Sequence, residues 1–588
     1  MIEKIWEDRG QFDKERVVLY SKKLGICPEV VAILDKRGIN LNTFFSLSGS
    51  IPNALLISDM EKGVEIVKDF AVNEKKIAVV NDYDVDGVTS GLIMKEALGA
   101  VGGDSFIITP KRLVDGYGIS KRIVDLAKEE GAELIVTTDN GISAFEAIEY
   151  AKSLGFTVVV TDHHDVHKDE SGEDRLPIAD AVIDAKRKDS EYPFIEICGA
   201  EVALKFACVL FAKVGVDNVS RKKLFRRFTE LAAIGTVCDV MPLIEENRSL
   251  VKAGLKDLKA SQIIGLRQLM KVQQIEPQSI SSYDIGFRIG PCINAMSRIL
   301  DDTDSVLSLL EEKDHIKAKS LAEKISKVNE ERKSFSEKAK KDGLEKVDLS
   351  EPISILYIPD SNPSVMGIAA GKIKDETGHP AVCFTDDKDG ILKGSGRSVE
   401  DYDMFAAFSK YSDLYESFGG HPGAIGISIK KDDFDKIKEL INKDAQGKVF
   451  KKKTVVDLFL PMSAVTDKFI EDVEKLEPFG EGNPAPVLCD DTCLLEGLTR
   501  MGQDGKYLRL SLRDKKGKLI EAVFFGDADE MDGLLDKYFG IPIREALYQK
   551  KSSSGVPVSF LYTPKFNFWN GRKSIQYQIR DYAIRDLT

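Results

Sequence analysis

Short apolar runs that alternate with helical stretches dominate residues 75–184 and limit the folds that this chain can adopt. Five runs, each about as long as one strand, lie at 75–81, 105–110, 133–139, 156–162 and 179–184. Strands that are apolar on both faces belong to sheets that are covered on both sides. Alternation with helices is typical of parallel sheets with helical crossovers. The sequence therefore predicts a parallel α/β domain.

Length and composition set the broad class of protein. The chain has 588 residues, of which 43% are hydrophobic and 30% charged, which excludes a disordered or collagen-like chain. We expect about three to five domains. No apolar run approaches the ~20 residues of a membrane helix, and no signal-peptide pattern is present. The eight cysteines form no C-x-x-C pair. These features predict a cytoplasmic protein with reduced thiols and no membrane segment.

Changes of pattern along the chain divide it into five predicted parts. Residues 1–60 are predicted to be a helical segment, 61–300 to hold the parallel sheet, and 301–349 to form a long connecting helix. Residues 350–448 are predicted to form a second, smaller α/β domain, and 449–588 a small β-barrel of short strands. The predicted fold class is therefore α/β and multidomain.

The net charge of −13 does not exclude a nucleic acid as substrate. Residues 491–588 contain 16 Lys and Arg against 13 Asp and Glu, so the excess of negative charge lies earlier in the chain. Carboxylates that are gathered to hold cations contribute to such an excess. The positions of the basic groups, rather than the average charge, decide whether a polyanion binds.

Asp82, Asp84 and Asp86 follow directly after the first apolar run. Alternate residues of an extended segment point the same way, so this spacing can direct three carboxylates to one place. Unpaired carboxylates repel one another, and a divalent cation is the simplest partner for them. By itself, the pattern is also that of a solvated Asp-rich turn.

Further acidic residues and histidines follow the later runs. Asp139 ends the third run, and His163 and His164 follow the fourth. Asp239 lies in an otherwise apolar stretch, where a lone Asp is also compatible with a cap or a satisfied core group. Parallel sheets bind ligands at the carboxyl ends of their strands, and mixed Asp and His ligation suits Mn²⁺ or Mg²⁺. Together the four groups predict two metals ~3.5–4 Å apart, the usual arrangement for phosphoester hydrolysis.

The chain contains, in this order, the motifs DYDVDG, DNG, DHH and GTVCDVMPL. On this scaffold they resemble the metal-binding motifs of the DHH phosphoesterase superfamily. PKRLVDGYG, KRKDSEYPF, GSGRS, FGGHPGAIG and LEPFGEGNPAPV are similar to segments of one branch, the RecJ-type single-strand-specific 5′→3′ exonucleases. The resemblance covers nearly the whole chain. It implies a DHH catalytic domain, a DHHA1-like substrate domain and a C-terminal OB fold that binds nucleic acid.

The same resemblance implies the metal ligands and the catalytic residues. The implied ligands of two Mn²⁺ or Mg²⁺ ions are Asp82, Asp84, Asp86, Asp139, His163 and Asp239. Asp139 would bridge the two ions, and His164 would position or neutralise the scissile phosphate. A hydroxide held by two cations is a sufficient nucleophile at neutral pH, so no Ser/His/Asp nucleophilic triad is needed.

The resemblance also implies residues that bind the substrate strand. Arg112, Ser395 and Arg397 would recognise a 5′-terminal phosphate, and His421 would face the substrate. Arg298 would be the basic residue of the stretch between the two α/β domains. Taken alone, each arginine is equally compatible with a surface ion pair. Departures from the family pattern, none of them at a metal ligand, occur at Cys292, Ser297, Ser361, Asn362 and Ile425.

Aromatic and basic residues are interleaved near the C-terminus, in KFNFWNGRK at 565–573. Aromatic platforms with basic groups hold single strands without sequence preference. An Asn-Gly turn is a poor place for core residues, so we predict that Phe568 and Trp569 are exposed and bind the strand. The alternative is that such aromatics belong to the core of the barrel.

Three functions are compatible with these residues. We favour a metal-dependent 5′→3′ exonuclease that hydrolyses single-stranded DNA to mononucleotides in repair or recombination. The second is a DHH phosphodiesterase for short oligonucleotides or cyclic dinucleotides, and the third an inactive relative that binds DNA as a scaffold. The resemblance further implies a monomer that works with single-strand-binding protein and a helicase.

Overall fold

The structure, a computed structural model, describes most of the chain. The described residues are 4–45, 51–112, 114–502, 504–550, 555–569 and 572–584, with only the backbone described at residues 4, 568, 569 and 572. Within these residues no helix is both long and apolar enough to cross a membrane.

The N-terminal segment begins with a strand and continues with two helices. They are β1 (Lys4–Asp8), α1 (Lys14–Leu24) and α2 (Pro28–Lys36). The strand differs from the helical segment predicted for residues 1–60, because β1 pairs in parallel with a strand more than 400 residues away, at Lys452–Val456. Val30 and Ile33 of α2 pack into the core of the C-terminal domain. The segment is therefore part of that domain's packing.

The first α/β domain is built on the predicted parallel sheet. Its strands and helices are α3 (Met60–Val72), β2 (Ile77–Asn81), α4 (Val85–Ala100), β3 (Ser105–Ile108), α5 (Lys121–Glu129), β4 (Leu134–Thr138), α6 (Phe145–Ser153), β5 (Thr157–Thr161) and β6 (Ala181–Ile183). The strand order is β3-β2-β4-β5-β6, and every pairing is parallel. Val79 and Val136 pack on the side of α4, whereas Ala78 and Ile135 pack on the side of α5 and α6. Both faces are covered, which explains the unbroken apolar runs.

A helical layer completes this domain and leads away from it. It consists of α7 (Gly199–Val214), α8 (Asn218–Cys238), α9 (Glu245–Leu258), α10 (Ile264–Val272), α11 (Ser282–Asp284), α12 (Gly290–Ala295), α13 (Asp304–Glu311) and α14 (His315–Leu344). Two π-helical segments, Ile285–Ile289 and Met296–Leu300, flank α12. The 30-residue α14 is the predicted connecting helix.

The second α/β domain is smaller and has a mixed sheet. Its elements are β7 (Ser354–Tyr357), α15 (Met366–Thr377), β8 (Ala381–Asp386), β9 (Ile391–Arg397), α16 (Met404–Ser409), β10 (Tyr415–His421), β11 (Ala424–Lys430) and α17 (Phe434–Asp444). The strand order is β10-β11-β9-β8-β7, in which only β7 and β8 pair in parallel. A 3-10 turn at Pro363–Val365 precedes α15.

The C-terminal domain contains a closed barrel. Its elements are β12 (Lys452–Val456), β13 (Leu458–Phe459), α18 (Asp467–Glu474), β14 (Leu488–Asp490), β15 (Leu494–Met501), β16 (Tyr507–Arg513), β17 (Leu519–Phe524), α19 (Ala528–Phe539), α20 (Ile541–Tyr548), β18 (Val556–Trp569) and β19 (Arg572–Ile584). The order β18-β15-β16-β17-β19 closes on itself because β18 also pairs with β19. Such closure removes unpaired strand edges.

Candidate active site

The three aspartates after β2 lie where the chain turns into α4. Asp84 is the N-cap of α4 and accepts a hydrogen bond from the backbone N–H of Gly87 at 3.0 Å. Asp86 lies in the first turn of α4, and its carboxylate accepts hydrogen bonds from the backbone N–H groups of Gly199 (2.6 Å) and Ala200 (2.9 Å). These two groups are at the N-terminus of α7, which favours a negative charge there. Asp86 is therefore held in one orientation.

Asp139 follows β4 in a left-handed backbone conformation, with φ of 61°. Its backbone N–H donates to the carbonyl of Thr161 at 3.1 Å, which ties it to the end of β5. Gly199 packs so closely against it that a Cβ there would lie 2.6 Å from the Asp139 Cβ. The side chain is thereby directed to the same sheet edge as the first three aspartates.

His163 is the point where three carboxylates meet. Its Nε2 lies 3.0 Å from an oxygen of Asp139, 3.5 Å from one of Asp239 and 3.7 Å from one of Asp86. The three aspartates come from different parts of the fold, since Asp239 caps the C-terminus of α8. One carboxylate oxygen from each of Asp82, Asp84 and Asp139 also lies within 4.8 Å of the others. Asp139 thus adjoins two groups of donors, His163 with Asp86 and Asp239, and Asp82 with Asp84.

Burial makes negative charge costly in this cluster. Burial and the neighbouring Asp84 raise the pKa of Asp82 to about 8. Burial, followed by the charges of neighbouring aspartates, raises the pKa values of Asp139 and Asp239 well above their usual range. Burial lowers the pKa of His163 to about 4, so this imidazole is neutral. These carboxylates therefore do not ionise together without further positive charge.

These residues fit a pair of divalent cations. Asp82 Oδ1, Asp239 Oδ2 and His163 Nδ1 are buried and have no hydrogen-bond partner in the described part of the chain. Unpartnered buried oxygens are rare because they cost free energy. Carboxylates with a neutral imidazole are a donor set that suits Mn²⁺ or Mg²⁺. Asp82 and Asp84 could hold one ion, Asp86, His163 and Asp239 the other, and Asp139 both.

His164 lies beside the cluster and carries a positive charge. Although burial opposes protonation, the hydrogen bond and the charge of Asp162 outweigh it and raise the pKa of His164 to about 9. The Nδ1 atom of His164 lies 2.8 Å from Asp162 Oδ1. Asp162 itself accepts from the backbone N–H of Ile142 at 2.9 Å.

Tyr117 is a neighbour of His164 that the sequence did not single out. Its hydroxyl donates to the carbonyl of Asp139 at 3.0 Å and lies 3.1 Å from His164 Nδ1. Burial raises the pKa of Tyr117, so the phenol stays protonated. The sequence signal for Tyr117 was its position in PKRLVDGYG, the segment in which Arg112 was predicted to bind the substrate.

Several arginines near the start of the second α/β domain form no ion pair within the described residues. The guanidinium of Arg112 lies 5.1 Å from the ring centre of Tyr83, and Arg298 donates to the carbonyl of Ser364 at 3.4 Å. Burial, then the like charge of Arg112, lowers the pKa of Arg298 to about 10, and Arg332 on α14 acts in the same sense. Four arginines form no ion pair within the described ranges: Arg112, Arg298, Arg332 and Arg397. The sequence analysis missed Arg332, which sits among the many charged residues of α14.

Ser395 and Arg397 share one face of β9, and the strand register places Arg397 opposite Ala424, which in turn pairs with His421. Arg397 reaches across the first turn of α15, since a Cβ at Gly367 would lie 2.9 Å from its Nη2. Arg298 contacts Ser364 just before the same helix. The start of α15 therefore brings together Arg298 and Arg397.

The remaining residues that were predicted to bind the strand are His421, Phe568 and Trp569. His421 is exposed at the end of β10, where its Nδ1 accepts from the backbone N–H of Gly423 at 3.2 Å. Phe568 and Trp569 lie at the end of β18, but their side chains are outside the described residues. Their predicted exposure stays a prediction.

Comparison with known families defines the class of this protein. Residues 76–236 match the DHH family, N-terminal domain; residues 351–447 match the DHHA1 domain; and residues 456–581 match the RecJ OB domain. A DHH phosphoesterase with DHHA1 and OB domains is the class that the fold and the site define.

Comparison with individual relatives identifies the family within this class. The single-stranded-DNA-specific exonuclease RecJ of Salmonella typhimurium is 33% identical over 465 residues, which are 75% of this chain and 79% of that protein. RecJ of Bacillus subtilis is 29% identical over 587 residues, covering 98% of this chain and 70% of that protein. The crystal structure of RecJ from Thermus thermophilus in complex with Mn²⁺ superposes with a TM-score of 0.81 at 25% identity, covering 99% of this chain and 80% of that one. The chain belongs to the RecJ family of single-stranded-DNA-specific exonucleases. The predicted family and fold class are thus confirmed.

Proposed function

We propose that this protein is a metal-dependent exonuclease that hydrolyses single-stranded DNA from the 5′ end to mononucleotides, using two Mn²⁺ or Mg²⁺ ions. The observation that carries the proposal is the convergence of carboxylates on His163 and Asp139, with buried oxygens of Asp82 and Asp239 that have no hydrogen-bond partner among the described residues. Membership in the RecJ family and the Mn²⁺ complex of the Thermus relative support it.

The metal pair, when bound, supplies a hydroxide nucleophile at neutral pH and neutralises charge that develops on the phosphate. The chain's own residues orient that chemistry. Gly199 and Ala200 fix Asp86, and the end of β5 fixes Asp139. Such hydrogen bonds to the ligands keep the donor atoms in place before substrate arrives.

His164 has the position and charge to hold the scissile phosphate. Its Nδ1 proton is committed to Asp162, whereas its Nε2 lies 3.2 Å from the Tyr117 hydroxyl, so a phosphate oxygen would accept from Nε2 in place of that hydroxyl. The raised pKa keeps the ring protonated at neutral pH. Tyr117 stabilises this orientation through its hydroxyl and its edge-on ring contact, with ring centres 5.4 Å apart.

A 5′-terminal phosphate matches the basic group at the start of α15. Within the described residues Arg112, Arg298 and Arg397 form no ion pair with a carboxylate, and Ser395 offers a hydroxyl on the same face of β9 as Arg397. The N-terminal end of the α15 dipole, which lies beside these arginines, adds to the attraction for an anion. We propose that this group fixes the 5′ end, that His421 faces the bound strand, and that the polarity of digestion follows.

The remaining parts of the proposal concern the whole molecule. We propose that residues 61–300 form the catalytic domain and 350–448 the substrate domain, joined by 301–349, and that the barrel within 449–588 holds the strand, with Phe568 and Trp569 as stacking residues. The closed barrel, which a very small substrate would not need, favours a long strand over a cyclic dinucleotide. We also propose a cytoplasmic monomer that works with single-strand-binding protein and a helicase.

A time course with Mn²⁺ tests the proposal. A long 5′-phosphorylated single strand is labelled at the 5′ end in one reaction and at the 3′ end in another. We expect immediate release of 5′ label as mononucleotide, gradual shortening of the 3′-labelled strand, and no reaction in EDTA. If the long strand survives while short oligonucleotides or cyclic dinucleotides are cut, the proposed substrate is wrong although the metal site is right.

A further inference from the structure

A cluster of buried ionisable side chains lies between α7 and α9, and no step of the proposed reaction uses it. Lys205 Nζ, on α7, lies 3.1 Å from Glu201 Oε1 on the same helix and 2.8 Å from Glu246 Oε2 on α9. The Tyr192 hydroxyl donates to Glu246 Oε2 at 2.8 Å. None of these four residues, which we call the lysine cluster, is more than 6% exposed. Buried charges carry a large desolvation penalty, so stability alone is a weak reason for such a cluster.

The first turn of α7 adjoins the metal-site residues. The backbone N–H groups of Gly199 and Ala200 donate to Asp86 at 2.6 and 2.9 Å. A Cβ at Gly199 would lie 3.0 Å from Asp86 Oδ2 and 2.6 Å from the Asp139 Cβ, so this turn is in close contact with both aspartates. A displacement of α7 would therefore move two of the residues that we propose as metal ligands.

Two contacts from the start of α9 hold α7 on either side of this turn. Asn247 donates through its Nδ2 to the carbonyl of Glu196, just before α7, at 2.6 Å. Glu246 accepts from Lys205, which lies further along α7. The helical rise from Gly199 to Lys205 is about 9 Å, so the two contacts flank the turn that meets the aspartates. The start of α9 is therefore a support for α7.

Lys205 is the cation that allows two carboxylates to share this buried place. Burial raises the pKa of Glu201 to about 7, although the charge of Lys205 acts in the opposite sense. The Oε2 atom of Glu201 is buried and has no hydrogen-bond partner in the described part of the chain. Although burial opposes it, the charges of Glu201 and Glu246 raise the pKa of Lys205. Without the lysine, the two carboxylates would move apart or take up protons, and the link between α7 and α9 would be lost.

We propose that Lys205 is a positioning residue for the metal site: by linking α7 to α9 it holds the first turn of α7 where Asp86 and Asp139 can bind cations. This inference rests on the proposed metal-dependent function and adds a residue that acts on the metal ligands without touching metal or substrate. Residues that orient metal ligands typically change metal affinity about 10–100-fold when they are lost. Loss of Lys205 should therefore weaken cation binding more than it lowers kcat at saturating Mn²⁺.

The test measures Mn²⁺ binding directly, by electron paramagnetic resonance of the free ion, on the full-length protein without DNA. Lys205→Met removes the charge but keeps most of the side-chain length, and we expect the dissociation constant for Mn²⁺ to rise about 10–100-fold. Glu201→Gln keeps the contact between Lys205 and Glu246 and should leave the constant nearly unchanged. In activity assays, Lys205→Met should need more Mn²⁺ for half-maximal rate, with little change in kcat at saturating Mn²⁺.

A triple variant distinguishes loss of the link from the effect of an unpaired buried charge. Lys205→Met combined with Glu201→Gln and Glu246→Gln leaves no charged group in the lysine cluster, so folding no longer depends on pairing charges there. Because Met cannot link the two helices, the dissociation constant for Mn²⁺ should remain raised. A wild-type constant in this triple variant would overturn the inference, and so would a wild-type constant in folded Lys205→Met.

Leu269→Ala controls for general loss of stability. Leu269 is buried in α10, which packs against α13 and α14. Its truncation should lower the unfolding temperature without changing Mn²⁺ binding. If Leu269→Ala weakens Mn²⁺ binding as much as Lys205→Met does, the inference is overturned. Failure of the wild type to bind Mn²⁺ would instead refute the proposed metal-dependent function.

Discussion

His163 Nε2 lies 3.0 Å from Asp139 Oδ1, although the two residues follow different strands. β4 and β5 are parallel neighbours in which Thr138 pairs with Thr161, so the residues just beyond them meet at one sheet edge. Burial lowers the pKa of His163 to about 4, which keeps the imidazole neutral. A neutral imidazole beside a carboxylate is the form in which a histidine binds a metal.

Replacement of Asp139 should abolish hydrolysis while the fold remains. Asp139→Ala removes the carboxylate that adjoins both groups of donors, and we expect kcat to fall at least about 1,000-fold. Activity is measured on a short 5′-phosphorylated single strand. Asp165→Ala is the matched control, because Asp165 is an exposed aspartate of the neighbouring loop, after β5, with 94% of its side chain accessible. Retained activity in Asp139→Ala would contradict the assignment of Asp139 as the bridging ligand.

Addition of Mn²⁺ should stabilise the folded wild type. Cations that bind the folded cluster but not the unfolded chain raise the unfolding temperature by mass action. Thermal unfolding is followed with EDTA and with increasing Mn²⁺. Asp82→Ala combined with Asp239→Ala should lose most of this increase. An equal increase in both proteins would place the stabilising cation elsewhere.

Loss of Arg397 should weaken recognition of the 5′ phosphate more than it slows chemistry. For Arg397→Ala we expect kcat/KM on 5′-phosphorylated strands to fall about 10–100-fold, because a charge-assisted contact is lost. Strands with a 5′ hydroxyl should be affected little. Lys393→Ala is a suitable control, since Lys393 is an exposed cation on the same face of β9. Equal losses on both kinds of end would contradict the assignment.

Removal of the C-terminal domain should separate strand binding from hydrolysis. Truncation after Gly447 alone would expose α2, whose Val30 and Ile33 pack against that domain. The better fragment is therefore 51–447. We expect it to cut very short oligonucleotides but to bind long strands more weakly, with a smaller dependence of affinity on salt. Unchanged affinity for long strands would show that the barrel is not the binding platform.

Asp457 should stabilise the contact between the N-terminal segment and the C-terminal domain, and this stabilisation should depend on pH. It accepts hydrogen bonds from Arg9 at 2.8 Å and from Arg37 at 2.8 and 2.9 Å. Although burial acts in the opposite sense, Arg37 lowers the pKa of Asp457. A depressed pKa stabilises the folded protein above the ordinary aspartate pKa of about 3.9, and this stabilisation is lost as the pH falls through the folded value.

Asp457→Ala should destabilise the protein by about 3–5 kcal/mol at neutral pH, because the buried Arg37 loses its partner. Chemical denaturation at neutral and acid pH measures the difference, which should shrink as the pH falls. Glu146→Ala, which removes one partner of an exposed ion pair, should cost under ~1 kcal/mol. A pH-independent loss in Asp457→Ala would assign the effect to packing alone.

Local pattern was enough to predict the scaffold. The apolar runs that were read as strands appear as β2 to β6, and their parallel order follows from the helices between them. The same logic predicted that Asp82, Asp139 and His163 would share one edge, because side chains that follow parallel strands must emerge there. For the C-terminal domain the sequence predicted a small β-barrel. It did not predict that β18 and β19 close it.

The sequence by itself determined the parallel sheet, the connecting helix and the residue types at the strand ends. Tertiary structure alone decided which distant groups meet them. The α7 N-terminus at Asp86, Tyr117 at His164 and Arg332 beside Arg298 are examples, and so is β1, which needs a partner from the other end of the chain. The physical reason is that periodicity reports which face of an element is buried, whereas contacts between remote segments depend on how all the elements pack together.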